Sequence, residues 1–175
     1  MDHNQPTPDD GSRLPAIRVV QARPDDAALV HRIMRAAFAE YLGVLDPPSG
    51  SNDETVEDVR RAIASGGALL AWDGDVAVGS ARYEPREDVL YVGRVSVLPG
   101  YRRKGIASAL MQHAELIARQ RGLSAVEVGV RASLPSNVGL YQQLGFVLTR
   151  VDPHPRGPDQ SICMVKRTAT STNRK

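Results

Sequence analysis

Cysteine, aromatic residues and long apolar runs are scarce in this chain of 175 residues, and each scarcity excludes a class of protein. The single cysteine, Cys163, excludes an internal disulfide and a zinc site built from several cysteines. The four histidines are scattered without the spacing of metal ligands, so we predict no metal site. No stretch approaches the roughly 20 apolar residues that a membrane-spanning helix needs.

Neither sign of charge is in large excess. The 22 basic and 20 acidic side chains leave a formal net charge of +2, too balanced for a protein whose whole surface binds nucleic acid. Hydrophobic residues make up 42% and charged residues 24%, as in ordinary globular proteins. The polar, acidic start MDHNQPTPDD lacks the regions of a signal peptide. We therefore expect a cytoplasmic enzyme or binding domain without a membrane or nucleic-acid partner; a homodimer stays open.

The two ends of the chain have almost nothing to bury. Residues 1–15 contain three prolines and three aspartates, and residues 168–175 read TATSTNRK. Such composition is typical of disordered tails. One folded domain over residues 16–167 is predicted, because this length fits a single hydrophobic core.

Apolar periodicity and turn residues predict seven strands and four helices. Asp73-Gly74 between two β-rich runs predicts a hairpin, and Gly93 within a long strand suggests a bulge. The order β-α-α-β-β-β-α-β-α-β-β is that of an α+β domain with one central sheet. The expected strands are 16–21, 68–72, 76–83, 89–98, 125–130, 146–151 and 161–167, and the expected helices are 24–41, 54–65, 105–121 and 137–144.

The segment between the fourth strand and the third helix carries the clearest sign of a binding site. Three consecutive cations, Arg102-Arg103-Lys104, precede a helix predicted to begin at Gly105. A helix N-terminus presents unpaired amides and partial positive charge, and the small residues Gly105 and Ala107 leave those amides accessible. The arrangement favours a phosphate or diphosphate ligand, with a solvated basic turn as the alternative.

A second group of residues lies on the fourth predicted helix. Asn137 and Tyr141 are four residues apart and therefore share one helical face. Gly145-Phe146 then ends the helix and opens the next strand. Taken alone, Tyr141 on a short helix is more typical of a half-buried packing residue than of a catalytic acid.

Together the two segments resemble the GNAT acetyltransferase superfamily. Its acyl-CoA signature, Gln/Arg-x-x-Gly-x-Gly/Ala after a strand, matches Arg102 to Ala107, and its later signature matches Asn137, Tyr141 and Gly145-Phe146. The resemblance covers residues 16–167. It implies one domain with a mixed, mostly antiparallel sheet flanked by helices. It also implies an N-acetyltransferase that moves an acetyl group from acetyl-CoA to a primary amine of a small molecule or peptide by direct attack.

The resemblance also assigns roles to individual residues. It implies that the fourth strand, splayed from its neighbour near Gly93, pairs with the pantetheine arm of CoA, and that the loop amides bind the diphosphate. It implies further that Tyr141 protonates the departing thiolate, since a phenol with a pKa near 10 keeps its proton at neutral pH. The implied cofactor-binding residues are Val95, Ser96, Val97, Arg102, Arg103, Lys104, Gly105, Ile106, Ala107, Asn137 and Tyr141.

The general base and the acceptor are less clearly encoded. Some family members place a glutamate within the fourth strand, where this chain has Tyr91 and Arg94 but no carboxylate. Glu84, Glu87 and Asp88 lie just before that strand, and Glu84 is the candidate base, acting through water. A solvated hairpin end, or an amine that arrives already neutral, is the alternative. Acidic residues over 46–58 would suit a cationic amine, or would simply start a helix and keep the surface polar. A small antibiotic, a polyamine, an amino acid and a protein N-terminus all stay open as acceptors.

Two other functions are compatible with part of the pattern. A non-catalytic acyl-CoA-binding sensor would need the loop but not a thiol acid, so Tyr141 argues against it. A nucleic-acid binder would use the cations at 102–104, but two Phe, one Trp and five Tyr supply few residues for stacking on bases.

Overall fold

In the computed structural model, residues 16–168 of the 175 are described, and they form seven strands and four α-helices in the predicted order. The strands are β1 (Arg18–Ala22), β2 (Ala68–Asp73), β3 (Val76–Arg86), β4 (Val89–Val97), β5 (Ala125–Arg131), β6 (Val147–Pro153) and β7 (Gln160–Arg167). The helices are α1 (Ala27–Phe38), α2 (Val56–Ser65), α3 (Ile106–Gln120) and α4 (Pro135–Gln143).

The expected tails fall almost wholly outside the described residues. The N-terminal tail, residues 1–15, lies outside them, and so do residues 169–175 of the C-terminal tail. Thr168, which we expected in that tail, is instead 7% exposed. Its amide donates to the carbonyl of Ser124 and its hydroxyl to that of Leu123. The folded part therefore includes Thr168.

All seven strands join one sheet in the order β1-β2-β3-β4-β5-β7-β6. Neighbouring strands are antiparallel except β4 and β5, which are parallel and joined through α3. The predicted α+β class and mixed, mostly antiparallel sheet are confirmed. Each helix within residues 16–168 is too short or too polar to span a bilayer.

Helices cover both faces of the sheet because side chains alternate along each strand. In β2, Leu69 belongs to the cluster that includes Leu110 of α3. Its neighbour Leu70 belongs to the cluster that includes Ile33 of α1 and Ile63 of α2. The sheet thus lies between α3 on one face and α1 with α2 on the other.

Helix boundaries near the site follow local backbone chemistry. α3 begins at Ile106, one residue later than predicted, because Gly105 takes φ +77° and serves as the N-cap residue. α1 ends at Phe38, earlier than the predicted Tyr41, and continues as a short 3-10 turn. α4 ends in a Schellman motif, with Gly145 at φ +90° and the Phe146 amide donating to the Tyr141 carbonyl.

Candidate active site

β4 and β5 separate in the middle of the sheet, and their separation creates the site. Their parallel pairing stops at Val92 opposite Val128. Between Gly93 and Ser96, β4 then bulges against β3, so the bulge suggested by Gly93 is confirmed. Beyond the bulge, Ser96 and Val97 pair with β3 alone among the described strands. The edge of β4 that faces β5 is therefore open to a ligand.

Side chains hold the bulge in place. Arg94 has φ +52°, a left-handed conformation that costs roughly 1–2 kcal/mol for a residue other than glycine. The buried Ser96 hydroxyl donates to the Arg94 carbonyl at 2.8 Å. The Arg94 guanidinium donates to Glu54 Oε1 from Nε at 2.8 Å and from Nη2 at 2.6 Å. These contacts offset the strain of the bulge.

A cavity of about 330 Å³, the smaller cavity, lies between the end of β4 and the start of α3. Val95 and Val97 line it on the strand side, and residues 105–108 line it at the helix start. The first amides of a helix have no partner within the helix. The smaller cavity is thus bordered by an open strand edge and by free amide donors at the positive end of a helix dipole.

The three loop cations do not have equivalent surroundings. Arg102 lies 2.6 Å from the Glu40 carboxylate and also donates to the Ala37 carbonyl, so it fastens the loop to the end of α1. Lys104 lies over the Tyr101 ring, with Nζ 5.2 Å from the ring centre. Within residues 16–168, neither Arg103 nor Lys104 has a carboxylate within 4.0 Å. These two charges are thus available to an anion.

A cavity of about 530 Å³, the larger cavity, adjoins the smaller one. Its wall comes from strands β3, β4, β5 and β7, from helices α1, α2 and α4, and from loops that include residues 45–50 and 154–156. The two cavities share five lining residues, which mark where they meet: Phe38, Tyr41, Val95, Asn137 and Tyr141.

Tyr141 lies at this junction and is 8% exposed. Its ring packs edge-to-face on Phe146, with ring centres 5.6 Å apart. Burial, together with the nearby Tyr91 and Tyr41, raises the pKa of Tyr141 well above its ordinary value. Its hydroxyl therefore holds its proton throughout the physiological pH range. Asn137, one helical turn earlier, donates from Nδ2 to the Tyr41 hydroxyl at 3.4 Å.

The predicted acidic groups end up in different places. Glu84 lies within β3, exposed, on the wall of the larger cavity, and it forms an ion pair with Arg86. None of the five acidic residues expected near an amine lines either cavity, and two of them instead sit in the first turn of α2. Those five are Asp46, Asp53, Glu54, Glu57 and Asp58.

Several wall residues of the larger cavity have no signal in the sequence. They come from separate elements, and only the sheet order and the loops bring them together. His154 is one of them; burial, with Arg131 and Arg156 close by, lowers its pKa, so the ring is neutral near pH 7. Other polar residues of the wall include Tyr41, Arg82, Arg86, Tyr91, Arg94, Arg131 and Arg156.

The amino-acid sequence of this chain is similar to those of known acetyltransferases. The profile of the Acetyltransferase (GNAT) family matches residues 30–146. The chain is 30% identical over 116 residues to the mycothiol acetyltransferase of Kocuria rhizophila, a match that covers 65% of this chain and 37% of that protein. It is 31% identical over 111 residues to the streptothricin acetyltransferase of Streptomyces lavendulae, covering 63% of this chain and 56% of that one. The matched part of the chain thus spans 37% of the length of the first relative and 56% of the length of the second.

Solved structures share the fold. The PaiA N-acetyltransferase from Thermoplasma acidophilum, solved in complex with coenzyme A, superposes with a TM-score of 0.71 at 17% identity. The match covers 87% of this chain and 99% of that one. At this identity the likeness concerns the fold alone.

Proposed function

Because this chain belongs to the GNAT acetyltransferase family, we propose that it transfers an acetyl group from acetyl-CoA to a primary amine by direct attack of the amine. The observation that carries the proposal is the meeting of two cavities at Tyr141. The smaller cavity would hold the acetyl donor and the larger one the acceptor, so that the two substrates meet at their junction.

The smaller cavity suits an acyl-CoA. The amides at the start of α3 and Arg103 border this cavity, and with Lys104, the next residue in the chain, they would attract the negative charge of a diphosphate. The open edge over residues 95–97 matches the amide groups of a pantetheine arm, which would add to the sheet like a further strand. Asn137 lies beside this path. Bound there, acetyl-CoA would supply an activated acetyl group and a thiolate leaving group.

Tyr141 is the proposed general acid. As the new C–N bond forms and the C–S bond breaks, its hydroxyl donates a proton to the departing sulfur. Such assistance is typically worth ~10²–10⁴-fold in rate. Backbone N–H groups of the bulged strand are the proposed donors to the carbonyl oxygen, where negative charge develops. The amine gives up its own proton to Glu84 through water, and solvent restores the proton on Tyr141.

An acetyl-CoA-dependent thiol-release screen over a library of amines tests this function, with reactions lacking amine as the control. We expect thiol release that requires both acetyl-CoA and a suitable amine. Calorimetric binding of acetyl-CoA without release for any amine would indicate an acyl-CoA-binding sensor instead of an enzyme. Failure to bind acetyl-CoA at all would overturn the proposal.

A further inference from the structure

Guanidinium groups dominate the wall of the larger cavity. Among the described residues that line it, five are arginines and one, Glu84, carries a carboxylate. Glu54 and Asp159 do not line the cavity, but they form ion pairs with three of these arginines. Five guanidinium groups against three carboxylates leave a net charge of +2 around the cavity. The arginines are Arg82, Arg86, Arg94, Arg131 and Arg156.

Most of these arginines have a carboxylate partner. Arg82 and Arg94 share Glu54, at 2.9 Å and 2.6 Å. Arg131 pairs with Asp159 at 3.1 Å, and both side chains are largely buried. These pairs fix the guanidinium groups in place without neutralising all of them, because one carboxylate serves two arginines.

Arg156 differs from the others. No carboxylate in the described part of the chain lies within 4.0 Å of its guanidinium. Its Nη2 atom and that of Arg94 converge on Gly50, where a Cβ atom would lie 3.3 Å from the first and 3.0 Å from the second. Gly50 itself lines the larger cavity. Two guanidinium groups that close repel each other, and an anion between them would be bound by both.

His154 adds a hydrogen-bond donor to the same part of the wall. Its Nδ1 accepts the Arg156 amide at 3.3 Å, which in the neutral ring leaves the proton on Nε2. Arg94 donates Nε and Nη2 to Glu54 and keeps Nη1 for another partner. Within residues 16–168, the wall therefore presents donors that no protein acceptor matches.

We infer that the acceptor amine carries an oxyanion, a carboxylate or a phosphate, which Arg94 and Arg156 bind together within the larger cavity. The inference rests on the proposed acetyl transfer, since it assigns the larger cavity to the acceptor. It names an acidic amine, such as an amino acid, as the substrate class. A polyamine, with charges of the same sign as the wall, is disfavoured.

The test compares amines that differ only in the oxyanion. Calorimetry in the presence of saturating CoA, which permits binding without turnover, gives Kd for L-leucine and L-leucinamide, β-alanine and β-alaninamide, and O-phosphoethanolamine and ethanolamine. We expect the acidic member to bind more tightly by roughly 10–100-fold in at least one pair, the range of a hydrogen bond to a charged group. The carboxylate and phosphate pairs reveal which oxyanion the site takes.

Two charge-matched variants locate the effect. R156Q removes the unpartnered guanidinium and should lower the preference for the acidic member by about 10-fold, while CoA affinity stays unchanged. R60Q removes the same charge from α2, where Arg60 pairs with Glu57 and lines neither cavity. It should keep the full preference.

Acidic probes that bind no better than neutral ones, or that fail to bind at all while CoA binds, would overturn the inference. So would a preference that R156Q leaves intact. If the unmodified protein did not bind CoA, that result would count against the proposed function instead. Failure of the inference and failure of the proposed function are therefore distinguishable.

Discussion

The two cavities that meet at Tyr141 are built in different ways. The smaller one takes much of its wall from a single stretch, residues 95–108, and offers backbone amides. The larger one is assembled from four strands, three helices and the loops between them, and it offers charged side chains. Under the proposed function, the donor would be bound by local backbone geometry and the acceptor by the side chains that the fold gathers. Substitutions in the larger cavity would then change the acceptor without altering the donor site.

Long-range contacts hold the larger cavity in shape. Arg131 donates to the Pro47 carbonyl at 2.8 Å and pairs with Asp159, so it joins β5 to both loops. Gly157 packs directly on Pro47, since a Cβ atom on it would lie 2.6 Å from the proline Cδ. These contacts fix Arg131 and the two loops relative to one another, as the proposed binding of an oxyanion requires.

The junction between the cavities predicts the largest effect. Y141F removes only the hydroxyl, so acetyl-CoA binding should survive while turnover falls by roughly 10–10⁴-fold. Y91F is the matched control, because Tyr91 lines the larger cavity but not the smaller one and should retain most turnover. Rates are compared where chemistry limits turnover. Full activity in Y141F would remove Tyr141 from the mechanism.

The smaller cavity predicts a loss of donor affinity from one glycine. G105E brings a negative charge and bulk to the helix start and should weaken CoA binding by about 100-fold, the loss of one or two charge-assisted contacts. Calorimetry measures it. G100E carries the same change to the same loop at a glycine that does not line the cavity and has open space around it. Equal affinities in the two variants would refute the assignment.

Substitution of Glu84 should have a smaller effect on kcat/KM, with a characteristic pH dependence. E84Q should lower kcat/KM near pH 7 by about 10-fold, below the ~10²–10⁴-fold of a base in direct contact. The loss should fade as pH rises toward the amine pKa, where the acceptor no longer needs a base. E87Q, at an exposed position outside both cavities, is the control. A pH-independent loss would point to a positioning role.

Removal of the ion pair between Glu40 and Arg102 should have the smallest effect, a small loss of folding stability. The hydrogen bond from Arg102 lowers the pKa of Glu40 below its ordinary value of 4.5. The pair therefore stabilises the fold above that value, and this stability is lost as pH falls through the lower folded pKa. For such an exposed pair, E40Q should cost about 0.2–1 kcal/mol at pH 7. Melting temperatures of parent and variant should converge in acid; a constant gap would exclude the ion pair as the cause.

Local patterns were enough to predict the element order and the smaller cavity. The loop at 102–107 is contiguous, and spacing placed Asn137 and Tyr141 on one helical face, while the family resemblance joined the two segments into one site. The bulge was signalled by Gly93 within a strand. Each of these features depends on residues close together in the chain.

The larger cavity was not predictable because its contacts join distant positions. Glu54 lies 40 residues from Arg94, and Arg131 lies 84 residues from Pro47. The acidic residues over 46–58 suggested a site for a cationic amine, yet Glu54 forms ion pairs with two arginines. Arg102 likewise looked like a phosphate ligand, although it pairs with Glu40 from α1. Charge counted along a sequence does not reveal which charges neutralise one another.

A structure of the protein bound to CoA would show the donor site itself. We expect the diphosphate on the amides at 105–108, the pantetheine arm along residues 95–97, and the sulfur within roughly 3.5 Å of the Tyr141 hydroxyl, the reach of a proton transfer. CoA bound away from the smaller cavity, or a sulfur beyond hydrogen-bond reach of Tyr141, would contradict this expectation.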